Sequence, residues 1–132
     1  MASMRSERAL PLPHRPLPSW LRHEEVSRLT RFADGVRAIV PQRHLVKFCL
    51  YGSRARGEGH AWSDLDVLVV LRGPTAEYRH RIIDLELAIE EADGHPGQGY
   101  LSVVKLSESE WRFNIRRELL FSREVREQGI PL

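Results

Sequence analysis

Two carboxylates and a glycine-serine step carry the most concentrated chemistry in this chain. The apolar run Leu45 to Tyr51 stops at Gly52-Ser53, where a missing side chain lets backbone approach a ligand and Ser53 offers a hydroxyl and an amide. That combination suits an anion. Asp64 and Asp66 then open a second apolar run, Val67 to Leu71, and the two-residue period of a strand turns both carboxylates to one face. Such a pair suits magnesium, which takes oxygen ligands and bridges carboxylates to phosphates. Side by side on a sheet the two acids repel and lose hydration, so a cation or ligand is needed to offset the cost. Capping or pairing with arginines is the competing explanation. His60, between the turn and the acids, is read as a solvated loop histidine.

The elements around this stretch follow from periodicity. Ser19 is placed to cap a helix to about Val40, with Val26, Leu29, Ala33, Val36 and Val40 as its apolar stripe and Pro41 as its stop. Leu45 to Tyr51 reads as a strand, Ser53 to Gly57 as one helical turn, Glu58 to Ser63 as a loop and Asp64 to Leu71 as a second strand. Along that strand Asp64, Asp66, Leu68 and Val70 share one face, and Leu65, Val67, Val69 and Leu71 share the other. Thr75 is placed to cap a helix to about Ala92, with Tyr78, Ile82, Leu85, Ile89 and Ala92 on its buried face and Ile83 and Leu87 widening it. A loop over residues 93–99 leads to a third strand, Tyr100 to Leu106. Ser107 and Glu110 form a capping box for a helix that buries Trp111, Ile115 and Leu119. A last helical piece, about Phe121 to Gln128, ends at Gly129 as a left-handed stop, and Ile130-Pro131-Leu132 leaves as a tail.

With 132 residues the expectation is one domain, residues 19–132, preceded by an arm, residues 1–18. Pro11, Pro13, Pro16 and Pro18 keep that arm extended and flexible. The fold class is α+β: a mixed, mainly antiparallel sheet of three or more strands with helices packed chiefly on one face. Lys and Arg number 20 against 18 Asp and Glu, a balance that argues neither for a dedicated nucleic-acid binder nor for a membrane-surface protein and leaves the partner open; a membrane is not expected as partner and nucleic acid is disfavoured. A lone cysteine, Cys49, cannot form an intramolecular disulfide and favours a reducing compartment. The chain also lacks an apolar stretch of about 18 residues and a signal-peptide core, so a cytoplasmic location is expected.

Gly52-Ser53, ten further residues, then Asp64-x-Asp66 resembles the signature of the minimal nucleotidyltransferases of the DNA polymerase β superfamily. Arg56-Gly57 and Ser63 fit the usual filling between the halves, and the ending Arg126 to Leu132 is similar to the close of other minimal members. The resemblance implies a nucleotidyltransferase that binds a magnesium nucleoside triphosphate, ATP first among them, and transfers a nucleoside monophosphate such as AMP. Asp64 and Asp66 would be the catalytic acids and metal ligands, and Gly52, Ser53, Arg54, Arg56 and Ser63 the nucleotide-binding residues. It further implies an antitoxin whose partner and acceptor is a HEPN-type toxin encoded nearby. A homo-oligomer stays open.

One position departs from the pattern. Complete members carry a third carboxylate on the strand after the helix, and here that place aligns with Ser102. A hydroxyl supplies neither charge nor basicity, which bears on transfer more than on binding. A catalytically weak or inactive interaction subunit of a two-protein complex is therefore the alternative reading. A small-molecule transferase is a third, disfavoured because the chain has no room for an acceptor domain.

Overall fold

Strand β2, Leu65–Leu71, is the spine of the computed structural model, which describes residues 16–60, 63–94 and 100–132. Its seven residues are nearly all buried because both of its faces are covered. β1, Leu45–Tyr51, lies antiparallel on one side, and β3, Leu101–Ser107, lies parallel on the other. β4, Ile130–Pro131, adds antiparallel to β1, giving the order β3-β2-β1-β4. This is the mixed, mainly antiparallel α+β sheet that the periodicity predicts. The tail Ile130-Pro131-Leu132 supplies the fourth strand instead of leaving the sheet: Ile130 pairs with Leu50 and Pro131 with Cys49.

The alternation along β2 divides the core. Leu65, Val67, Val69 and Leu71 pack with Leu29, Phe32 and Val36 of α1, His23–Ile39, and with Tyr78 and Ile82 of α2, Thr75–Ala92. Leu68 and Val70 face the other way, against Cys49, Trp111 of α3, Glu108–Arg116, and Val125 of α4, Leu120–Gln128. The two long helices thus cover one face, as expected, and two short helices cover part of the second. Asp66 shares the face of Leu68 and Val70, so it opens toward the side carrying α3 and α4.

Several local expectations are corrected. α1 begins at His23, not at Ser19, because Pro18 to Leu21 make a turn in which the Leu21 amide bonds the Pro18 carbonyl. The Arg22 amide then donates to the Glu25 carboxylate and starts the helix. Thr75 is the first helical residue, and its hydroxyl donates to the Gly73 carbonyl. Ile83 and Leu87 do not widen the buried face of α2: they are 43% and 55% exposed. Ala92 is exposed as well.

The Ser107 capping box forms as read, with the Glu110 amide on the Ser107 hydroxyl and the Ser107 amide on the Glu110 carboxylate. α3 ends early, at Arg116, and the chain turns through Glu118 at φ 50°, so Leu119 lies outside that helix and stays exposed. Gly129 is not left-handed but extended, at φ −65°. Its need for glycine is steric, since a Cβ there would lie 2.5 Å from the Val125 carbonyl oxygen. The readings of residues 1–15, of residues 61–62 within the Glu58–Ser63 loop and of the loop 95–99 lie outside the described residues. No helix among the described residues is long and apolar enough to cross a membrane.

Candidate active site

The antiparallel register brings the two halves of the motif together. Tyr51 sits opposite Asp66, so the chain leaving β1 at Gly52 passes directly over that carboxylate. Gly52 adopts φ 78°, and a Cβ built on it would lie 2.3 Å from Asp66 Oδ2. Glycine is thus required twice, for the left-handed backbone and for the close approach. After it the chain coils through short turns, with the Ala55 and Arg56 amides bonded to the Gly52 carbonyl and the Glu58 amide to that of Ser53. Gly59, at φ 78°, folds back so closely that an added Cβ would meet Ser63 Oγ at 2.6 Å and Ser53 Oγ at 2.9 Å. Ser53 and Ser63 therefore border the same crowded corner, and Ser63 also takes the His60 amide.

Asp64 immediately precedes β2 and is exposed, while Asp66 is half-buried one pleat further in. Burial pushes the Asp66 carboxyl above its ordinary range, and the charges of Asp64 and Glu124 push it further; Arg56 opposes them. Among the described residues no hydrogen bond contributes to that balance. Burial likewise raises the Tyr51 phenol to about 12, helped by Asp66 and Glu124. The site is thus a negative corner that Arg56 offsets only in part, and its donor set of hard carboxylate oxygens is the kind a magnesium ion takes. Among the described residues no three His, Cys, Asp or Glu side chains gather at metal-binding spacing, so Asp64 and Asp66 remain a pair. Ser102 of β3 is the register partner of Asp66, which places it beside that acid on the same face.

The two arginines behave differently. Arg54 does not join the site: it is 6% exposed and forks onto Glu25 of α1, with Nε to Oε2 at 2.9 Å and Nη2 to Oε1 at 2.9 Å. Its Nη1 bonds the Glu58 carbonyl, and the Trp20 indole bonds the Arg54 carbonyl. Arg54 thereby ties the turn after Gly52 to α1, and its guanidinium is engaged by Glu25 and by the Glu58 and Trp20 carbonyls. Burial pushes the Glu25 carboxyl up, but the Arg54 hydrogen bond, the Arg22 amide and both charges outweigh it and hold it low. Arg56 does reach the site side. Its Nη1 lies 2.6 Å from Glu124 Oε2 and 3.3 Å from Gln128 Oε1, both on α4, and Nε lies 3.1 Å from Glu58.

Glu124, Gln128 and Tyr51 are neighbours of the site that the motif does not include. Glu124 stands 68 residues from Arg56, so no local spacing could reveal the pair.

Residues 29–124, the greater part of the chain, match the nucleotidyltransferase domain family, and the chain belongs to that family. A solved structure described provisionally as a minimal nucleotidyltransferase is 29% identical, with 92% of this chain and 100% of that one covered at a TM-score of 0.49. Comparison with curated proteins returns no match.

Proposed function

We propose that this nucleotidyltransferase-type protein binds a magnesium nucleoside triphosphate, with ATP preferred, and transfers a nucleoside monophosphate to a partner protein. A HEPN-type toxin encoded nearby is the acceptor we favour, which makes the chain an antitoxin of the cytoplasm. The observation that carries the reading is the packing of Gly52 on Asp66, which joins an anion-accepting turn to a pair of acids in one corner.

Each residue then has a task. Gly52 leaves room for phosphate oxygens beside the backbone, and Ser53 turns its amide and hydroxyl to the β- and γ-phosphates. Ser63 supports Ser53 from across the Gly59 fold. Arg56 exchanges Glu124 for the triphosphate, a charge-assisted bond in place of another. Asp64 and Asp66 would hold magnesium, which when bound offsets phosphate charge and lowers the pKa of an attacking hydroxyl. A nearby cation would relieve the burial and like charge that push the Asp66 carboxyl up.

The second reading, an interaction subunit with weak or no transfer, is favoured by Ser102 beside Asp66 in the place of a third acid. Incubation with magnesium, each of the four nucleoside triphosphates and the neighbouring gene product, followed by intact mass of that product, separates the two. Transfer adds a nucleoside monophosphate mass that is lost with Asp64→Asn, Asp66→Asn. A stable complex without added mass supports the interaction subunit.

A further inference from the structure

The outer face of α2 reads as its own complement. At about 3.6 residues per turn, Ala76, Arg79, His80, Ile83, Leu87, Glu90, Glu91 and Gly94 fall in one stripe that continues just past the helix end. The stripe is symmetric about the position of Leu85. Ile83 and Leu87 stand equally far from that position, as do His80 and Glu90, Arg79 and Glu91, and Ala76 and Gly94. Apolar residues hold the centre, base faces acid further out, and small residues close both ends. Ile83 and Leu87 are among the exposed large apolar side chains of the molecule, at 43% and 55%. Beside them runs a groove of about 260 Å³, lined also by Ile89 and by Leu101 of β3, the edge strand of the sheet.

We propose that this face binds a second copy of the chain, α2 against α2 in antiparallel order about a two-fold axis through Leu85. In that arrangement Ile83 meets Leu87 of the other copy and fills the groove. His80 and Arg79 of one copy meet Glu90 and Glu91 of the other. A two-fold interface requires just such a self-complementary patch, in which each contact occurs twice. A parallel pairing would set base on base and acid on acid. Arg79 is already steadied by Glu110 of α3, which keeps its guanidinium at the stripe. The face is distinct from the acid corner, which opens on the opposite side of the sheet, so dimerisation and nucleotide binding stand or fall separately.

Sedimentation equilibrium of the full chain should show a reversible monomer-dimer exchange. Ile83→Cys and Leu87→Cys report the geometry, because Cys49 is the sole native cysteine and is buried. A mixture of the two variants should form an oxidised dimer several times faster than either alone, and faster than Ala88→Cys, an exposed position off the stripe. Charge swap gives an independent reading: His80→Glu and Glu90→Lys should each weaken self-association severalfold, and an equimolar mixture should restore it, since mixed dimers regain both attractions. A chain that stays monomeric at the highest soluble concentration overturns the proposal. So does a dimer whose cross-linking at Ala88→Cys equals that of the mixed pair, which would place the contact elsewhere.

Discussion

Asp66 of β2 and Ser102 of β3 are direct register partners across the parallel junction of the sheet. Where the resemblance to minimal nucleotidyltransferases implies a third acid, the sheet thus sets a hydroxyl beside Asp66. Ser102→Asp should add a carboxylate next to a group already pushed up by burial and by Asp64. The variant should lose about 0.2–1 kcal/mol of stability without magnesium, the scale of like charges side by side on a sheet. Magnesium should restore that loss, and transfer to the partner should rise if the missing acid limits the rate. Thermal melts with and without magnesium check the first part, and intact mass of the partner checks the second.

The pH dependence of stability separates Asp66 from Glu25. Asp66 has a raised carboxyl in the fold, so its contribution is fully present below the ordinary aspartate range and is lost as pH rises through its folded value. Asp66→Asn should then be as stable as the parent or more so at neutral pH, with the gain vanishing in acid. Glu25 is lowered, so its contribution is present above the ordinary glutamate range and disappears as pH falls through its folded value. Urea melts across pH for Asp66→Asn and Glu25→Gln should diverge in opposite senses.

Arg54 should prove structural. Arg54→Ala leaves the buried Glu25 charge unmatched, and removal of one partner of such a pair costs about 3–5 kcal/mol. Arg54→Ala with Glu25→Gln should recover part of that loss. Direct participation at the triphosphate would instead abolish binding in the stabilised double variant.

Arg56 should prove to be held in check by α4. Glu124→Gln removes its 2.6 Å partner and a charge that bears on Asp66. An exposed ion pair is worth about 0.2–1 kcal/mol, so triphosphate binding should tighten by a factor of about 1.4–5. Calorimetric titration checks this, and the gain should be absent in an Arg56→Ala background.

Local pattern made much of this legible. The approach of the glycine-serine step to Asp66 was readable because one turn and one strand separate them, and the alternation of β2 told which face Asp66 takes. What stayed hidden depends on distance along the chain. Arg54 looks like its neighbour Arg56 until Glu25 of α1 is seen to reach it. β4 is too short, at two residues, to show a period, and only its pairing with β1 defines it. Ile83 and Leu87 have the spacing of buried residues, yet α1 and the sheet already occupy the other side of α2.

The corner between Gly52 and Asp66 is expected to hold the metal and the triphosphate. Substituting manganese for magnesium, with ATP present, lets the bound ion broaden the amide resonances of its surroundings. Selective loss of the Gly52, Ser53, Asp66 and Ser102 signals, abolished in Asp64→Asn, Asp66→Asn, is the predicted result. Broadening centred on any other part of the fold, or equal broadening in the double variant, would contradict it.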